Sequence, residues 1–255
     1  MNKIKNTKRN IFFIQILIFF SILLIWQIIT DLKIIDSFII SSPKKILFTI
    51  FNLYKKNNLI ININTTLYEL LLSFSISMML AIIVASILWF FPKIAKILEP
   101  YLTLINSLPK VALGPIILIW FGTNIKSIII MSILISSIVI TINIYNSFIN
   151  VDRFKIKLIN SFTKNKFLLY KYLIFPSNIK TIISNLKICI SMSLIGIIMG
   201  EFLVSKKGIG YLILYGSQVF NLDLVMTGIA LLCILAILLY CIITVIEKLY
   251  EKKFQ

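Results

Sequence analysis

The sequence contains no histidine, and this absence excludes several classes of enzyme. Without histidine the chain cannot build an HExxH zinc protease, a Ser-His-Asp triad or a His-ligated redox centre. Acidic residues are also scarce, with nine aspartates and glutamates against twenty-six lysines and arginines. Most of them lie at the ends of apolar runs: Asp31, Glu69, Glu99, Glu201, Asp223 and Glu247. No two share one face of an apolar helix, as a proton relay or an intramembrane aspartyl protease would require.

Neither the cysteines nor the glycines of this sequence form a motif that indicates catalysis or phosphate binding. Cys189, Cys233 and Cys241 all lie in apolar runs, without spacing suited to a metal or a disulfide, and are expected to be small buried hydrophobes. The segment from Gly208 to Gly210 lacks the GKS/T ending of a phosphate loop. An enzyme and an ATP site within this chain are therefore not favoured, and no cofactor is expected.

Long apolar runs are what the sequence has in abundance, since 59% of its residues are hydrophobic. A bilayer crossing takes about 20 apolar residues. The predicted fold class is all-α, a polytopic membrane protein with about six transmembrane helices in one domain, residues 1–255. The predicted spans are 10–30, 69–92, 99–122, 127–150, 185–204 and 224–246. The first span has no small-x-small cleavage site after it, so we expect a retained anchor and not a signal peptide.

The basic residues are distributed unevenly between the segments that join these spans. With the N-terminus inside, seventeen lysines and arginines fall in cytoplasmic segments and eight in outer ones. This positive-inside pattern predicts a multi-pass protein of the cytoplasmic (inner or plasma) membrane with both termini cytoplasmic. The net charge of +17 does not indicate nucleic-acid binding, because no soluble basic face exists to carry it.

The third predicted span is interrupted by proline. Pro109 and Pro115 lie six residues apart with Gly114 between them, so the helix must kink or break. Such breaks are tolerated in a membrane where other helices or a watery cavity satisfy the backbone, so this span is expected to border a pathway or to be a packing kink. Lys110, between the prolines, is either functional or snorkels to the cytoplasmic edge.

A second glycine-rich segment follows the fifth span. Gly200 and Glu201 precede the basic pair Lys206 and Lys207. Glu201 is expected to face a polar pathway or to pair with one of these lysines, and a structural turn is the alternative.

A basic insert, residues 152–180, separates the fourth and fifth spans. Ile156, Ile159 and Phe162 recur at helical spacing among lysines, and a second apolar cluster ends at Pro176. The pattern predicts one or two short cytoplasmic helices lying across the membrane surface, broken at Pro176. Lipid headgroups, the protein's own helices or the groove of a soluble partner would each cover such a face.

Three ordered motifs resemble those of one family. They are SLPKVALGP at 107–115 with WFG at 120–122, LIGIIMGE at 194–201, and KGIGYLI at 207–213; Pro176, Ser42-Pro43 and Glu99-Pro100 also fall at matching places. The set resembles the permeases of binding-protein-dependent ABC importers, and within them the nitrate, taurine and aliphatic-sulfonate branch. The resemblance extends over nearly the whole chain and implies a type I importer permease.

The resemblance implies that the basic insert holds a coupling helix that docks a cytoplasmic ATP-binding subunit, with Ile159 and Phe162 as apolar anchors and Lys157 and Lys164 at the rim. The residues assigned to this loop are Lys157, Leu158, Ile159, Phe162, Thr163, Lys164 and Pro176. The family's Glu-Ala-Ala falls on Lys157 to Ile159 and its glycine on Thr163, so the signature letters differ. The same charges would suit a helix bound to anionic headgroups.

The resemblance also implies the partners and the transport path. The partners are ATP-binding subunits that hold the ATP, a second permease copy in a homodimer, and an extracytoplasmic binding protein. The solute is expected to be a small anion of the nitrate, sulfonate or taurine type, or a small organic nutrient, moved by alternating access. Candidates for the pathway or gate are Pro109, Lys110, Pro115, Gly122, Gly196, Gly200, Glu201, Gly208 and Gly210.

Three rival interpretations remain open. The membrane scaffold of an energy-coupling-factor importer would use a separate membrane partner for substrate and no soluble binding protein. An intramembrane enzyme would act without ATPase partners. A secondary transporter would be longer and would show an internal repeat, and the two halves of this sequence show no clear self-similarity.

Overall fold

The computed structural model describes the backbone of residues 2–254 and the side chains of residues 13–252. Over the described backbone the chain is helical, without a strand. The helices are α1 (Asn2–Asp31), α2 (Ser37–Ile40), α3 (Pro43–Lys55), α4 (Asn58–Phe90), α5 (Pro92–Ser107), α6 (Gly114–Phe121), α7 (Ile125–Ile149), α8 (Arg153–Phe162), α9 (Lys166–Leu169), α10 (Phe175–Val204), α11 (Ile209–Gln218) and α12 (Leu222–Phe254). The predicted all-α fold class is confirmed.

Among the described residues, five helical stretches are long and apolar enough to cross a membrane, or six if a bent pair counts as one span. The five are Phe13–Asp31, Asn58–Phe90, Ile125–Ile149, Lys166–Val204 and Leu222–Lys252. The bent pair is Pro92–Ser107 with Lys110–Phe121, which meet at 87°. The basic N-terminal residues that support the predicted orientation (Lys3, Lys5, Lys8 and Arg9) lie outside the described side chains.

Polar caps and proline set where several helices begin. Asn124 caps α7 by accepting from the backbone N–H of Lys126 at 2.9 Å, and Asp152 caps α8 by accepting from that of Phe154 at 2.8 Å. Proline stands in the first turn of α3, α5 and α6, where its missing N–H leaves no hydrogen bond unmade. Three of the six prolines therefore start helices instead of breaking them.

The chain forms two compact units. Met1–Asn62 with Leu212–Leu231 make the first, and Ile63–Tyr211 with Leu232–Gln255 make the second. In the first unit, the side-chain carbonyl of Gln27 on α1 accepts from the backbone N–H of Lys44 at 3.1 Å. The Lys45 ammonium donates to Ser37 Oγ at 2.9 Å and lies 3.9 Å from the Asp223 carboxylate.

In the second unit, a seam of small residues joins α4, α7 and α10. Ser132 of α7 donates to Ser73 of α4 at 3.0 Å, and Ser136 donates to Ser77 at 2.7 Å. Gly196 of α10 also packs on Ser132, so closely that a Cβ on Gly196 would overlap the Ser132 backbone. Membrane helices pack through such small residues because lipid leaves no hydrophobic driving force between them. We call these residues the serine–glycine seam; it includes Gly200 as well, whose Cβ would lie 3.0 Å from Ile128 Cα.

The helix that contains the fifth predicted span begins well before residue 185. A π-helical turn, Tyr170–Ile174, leads directly into α10, so the helix is continuous from Lys166 to Val204 and is not broken at Pro176. The lysines that suggested a loop have partners on α12, since Lys180 lies 2.5 Å from Glu251 and Lys187 lies 2.5 Å from Glu247.

Candidate functional site

One face of α8 is an exposed apolar stripe. Phe154, Leu158 and Phe162 are 80%, 59% and 81% exposed, and their spacing of four residues places them along one side of the helix. We call these three side chains the α8 stripe. It adjoins the basic residues Arg153 and Lys157, which are also exposed.

The opposite face of α8 is fixed to the interior of the second unit. Ile156 and Ile159 pack against a buried cluster to which α4, α7 and the segment after α8 contribute. Its members are Met78, Ala81, Ala85, Ile140, Ile144, Phe148, Leu169, Ile174, Ile182 and Cys189. One apolar face of α8 is thus packed on the buried cluster, and the α8 stripe remains exposed on another face.

The structure separates the residues that the sequence assigned to a docking surface. Phe162, Leu158, Lys157 and Lys164 are exposed, whereas Ile159 faces the buried cluster. Thr163 is half-buried and ends α8, and Pro176 is exposed in the first turn of α10. Sequence reasoning missed Phe154, although the spacing of Phe154, Leu158 and Phe162 carries the signal.

Tyr170 anchors the segment that follows α8. Its ring centroid lies 5.5 Å from that of Trp89, 5.0 Å from Phe90 and 5.8 Å from Phe148, and the Tyr170 and Ser86 hydroxyls lie 2.6 Å apart. Aromatic pairs at these distances stabilise beyond the area that they bury. The segment around Tyr170 is therefore packed firmly on α4 and α7, so a displacement of α8 would be transmitted to these two helices.

A cavity of about 570 Å³ lies at the other end of the same helices. The first turns of α7, the last turn of α10 and the N-terminal half of α4 line it, so it is remote from α8 along the helix axes. Its polar lining residues include Thr65, Glu69, Thr123, Asn124, Lys206 and Lys207. The cavity thus carries an acidic side chain and two basic ones.

Glu201 lies beside this cavity and is completely buried. Its Oε1 atom accepts from the Thr66 hydroxyl at 2.6 Å, and its Oε2 atom accepts from the backbone N–H of Gly210 at 2.5 Å. Thr66 Oγ1 in turn accepts from the backbone N–H of Ile209 at 2.8 Å. These bonds tie the end of α10 to α4 and to the start of α11; neither Lys206 nor Lys207 forms a salt bridge with Glu201.

The glycines after Glu201 make room for its carboxylate. Gly208 adopts a φ of +113°, and a Cβ there would overlap the Glu201 carboxyl group. A Cβ on Gly210 would lie 2.7 Å from Glu201 Oε2. Both positions are therefore closed to larger residues while Glu201 keeps its place.

The other predicted pathway residues do not share one location. Gly122 ends α6 with a φ of +80°, next to cavity residues Thr123 and Asn124. Gly196 and Gly200 belong to the serine–glycine seam, where they allow close packing of α10 on α7.

Pro109, Lys110 and Pro115 lie at the break between α5 and α6. Pro109 precedes a short 3₁₀ turn, Lys110–Leu113, and Pro115 falls in the first turn of α6. The Lys110 ammonium donates to Asn106 Oδ1 at 3.0 Å, and the Lys110 side chain is partly exposed.

Metal chemistry finds no support in the described part of the chain. No group of three or more cysteine, aspartate or glutamate side chains there is arranged to hold a metal ion. Cys189 is buried as expected, whereas Cys233 and Cys241 are exposed on α12 and not buried.

Comparison with known proteins identifies what the fold resembles. Residues 77–255 match the family described as the binding-protein-dependent transport system inner membrane component. A protein named as an ABC transporter permease in Haemophilus influenzae is 28% identical over 86% of this chain and 89% of its own length. The formylaminopyrimidine transport permease protein ThiX of Halalkalibacterium halodurans is 25% identical over 76% of this chain and 77% of its own length.

A solved structure has the same fold. A chain of the MetNI methionine ABC transporter in an inward-facing conformation superimposes with a TM-score of 0.65. The match covers 72% of this chain and 92% of that chain, at 16% sequence identity.

Proposed function

Because this chain belongs to the family of binding-protein-dependent transport system inner membrane components, and is therefore a membrane transport permease and not an enzyme, we propose that it carries a small solute inward by alternating access, driven by ATP-binding subunits that dock on α8. The solute is a small anion of the nitrate, sulfonate or taurine type, or a small organic nutrient. An extracytoplasmic binding protein selects it before this chain receives it.

The observation that carries the proposal is the α8 stripe on a helix whose other face is already packed. Fully burying three large apolar side chains is worth about 1.5–3 kcal/mol each. Ile156 and Ile159 fix the helix to the cluster that also contains parts of α4 and α7. A partner that binds the stripe can therefore displace membrane helices and not merely a loose loop.

The charges around the stripe indicate the character of the partner. Arg153, Lys155, Lys157 and Lys164 are exposed on or beside α8, so the docking groove is apolar with an acidic rim. The ATP is held by that partner. Two copies of this chain and two ATP-binding subunits make the transporter, with the termini and α8 on the cytoplasmic side.

The test is a pull-down in mild detergent with the candidate ATP-binding subunit, comparing the wild-type chain with Phe162→Asp. A central apolar anchor costs about 2 kcal/mol or more when lost, roughly thirtyfold in affinity. Asn160→Asp is the matched control, because it adds the same charge to an exposed position of α8 away from the stripe.

Retention by the wild-type chain and by Asn160→Asp, with loss in Phe162→Asp, is the expected result. Equal retention by Phe162→Asp would refute docking on the stripe. Absence of binding by the wild-type chain would leave α8 as a helix that lies on lipid headgroups, and co-flotation of the wild-type chain's α8 peptide with anionic vesicles would then be expected.

A further inference from the structure

Glu69 is a buried acidic side chain that none of the roles described above uses. It lies on α4, at the wall of the 570 Å³ cavity, and is completely buried. Neither of its carboxyl oxygens accepts a hydrogen bond from a donor among the described residues, and both are closed to solvent. A buried carboxylate without a donor or a counter-ion is strongly destabilising, so the site must contain something that removes its charge.

The group that faces Glu69 is another carboxyl group, that of Glu201 on α10, because Thr66, which lies three residues before Glu69 on the same face of α4, donates to Glu201 at 2.6 Å. Ionised carboxyl groups only accept hydrogen bonds. Two carboxyl groups can therefore approach in this way in a buried site only if one of them is protonated, since two like charges there cannot both be ionised.

The hydrogen bonds show which of the two carries the proton. Glu201 already accepts from the Thr66 hydroxyl and from the backbone N–H of Gly210, and such donors stabilise the ionised form. The Thr66 hydroxyl has no further proton to give, because it donates to Glu201 while accepting from Ile209. Glu69 has no donor of this kind, so the uncharged form belongs to Glu69.

A proton is the neutralising group that the surroundings of Glu69 favour. Lys206 and Lys207 line the same cavity as Glu69 but form no salt bridge with it or with Glu201. The Glu69 oxygens have no accessible surface, so a hydrated cation or an ammonium group of a solute would reach them only if the side chain turned outward. A proton requires no such movement.

We propose that Glu69 and Glu201 form a buried proton-binding site in which the Glu69 carboxyl group donates to the Glu201 carboxylate and holds α4 against α10 at the cavity wall. Removal of this proton would leave two carboxylates in contact, and they would separate. The wall of the cavity would then open, with the Glu69 side chain free to turn toward Lys206 and Lys207. The site belongs to this chain alone and does not depend on which solute is carried.

Infrared difference spectroscopy of the purified chain at neutral pH tests the proposal. A protonated carboxyl group has a C=O stretching band, separate from those of carboxylates, that shifts when H₂O is replaced by D₂O. The difference between wild-type protein and Glu69→Gln is expected to contain this band. The difference between wild-type protein and Glu99→Gln, which removes an exposed carboxyl group of α5, is expected to lack it. The amide introduced by Glu69→Gln can still donate to Glu201, so this variant should fold.

Absence of the band from the wild-type minus Glu69→Gln difference would overturn the proposal. Should Glu69→Gln fail to fold, the wild-type spectrum is recorded with and without ¹³C-labelled glutamate. A C=O band that moves both with the label and with D₂O is expected, and it should persist in Glu99→Gln. Its absence would then count against the proton site. Neither readout involves transport or an ATP-binding subunit, so either can fail while the importer function stands.

Discussion

The hydroxyl groups of Ser86 and Tyr170 lie 2.6 Å apart and connect α4 to the segment that follows α8. Tyr170→Phe keeps the aromatic contacts and removes this hydrogen bond, so we expect a loss of about 1 kcal/mol in the free energy of unfolding. Ser86→Ala should cost a similar amount, and the double variant should cost less than the sum of the two. Denaturant unfolding in detergent measures all three, and Tyr172→Phe, at an exposed tyrosine, is expected to have no effect.

Gly196 admits no side chain where α10 crosses α7. Gly196→Ala would place a Cβ against the Ser132 backbone, and we expect a loss of about 1–3 kcal/mol through overpacking. The thermal midpoint in detergent is the measurement. Ile195→Ala, at the neighbouring exposed position, should shift it far less; equal shifts would mean that the two helices are not in close contact at Gly196.

Thr66 links three segments through a single hydroxyl group. Thr66→Val keeps the shape of the side chain but removes the donor to Glu201 and the acceptor for the Ile209 N–H, in a fully buried setting. We expect the free energy of unfolding to fall by about 1–3 kcal/mol, since buried polar partners are left unpaired. Thr103→Val, at an exposed threonine of α5, is the control and should be nearly neutral.

The proposed orientation places α8 and the cavity on opposite sides of the membrane. In a variant lacking Cys189, Cys233 and Cys241, Lys206→Cys should react with a membrane-impermeant maleimide in intact cells. Phe162→Cys, at an exposed position, should react only after permeabilisation. The reverse pattern would place both termini outside, against the distribution of basic residues.

The sequence predicted the long helices well because a run of about 20 apolar residues is enough to indicate a membrane span. It predicted the break at Pro109 for the same kind of local reason. It placed Phe162 on one face with Ile156 and Ile159, from which the structure separates it. It did not predict that the helix of the fifth span starts as early as Lys166, because Lys180 and Lys187 suggested a loop. In the structure these lysines pair with Glu251 and Glu247 of α12.

Contacts between distant positions could not be predicted in this way. Nothing in the local pattern brings Glu69 to Glu201, since the two lie on different helices, α4 and α10, that are far apart in the sequence. The orientation of α8 could not be predicted from spacing either. Helical spacing groups Ile156 with Ile159 and also groups Phe154 with Leu158 and Phe162. Only the fold determines that Ile159 faces the buried cluster and that Phe154 is exposed.

The serine–glycine seam gives the chain a very uneven tolerance of mutation. Most of the apolar surface is isoleucine, leucine and phenylalanine facing outward, where one hydrocarbon side chain can replace another with little consequence. At Gly196 an added methyl group would overlap the Ser132 backbone, and Ser132 and Ser73 are joined by a buried hydrogen bond. A library of random single codons selected for correctly folded protein should therefore show substitutions almost everywhere along the spans, with sharp gaps every fourth residue along the seam.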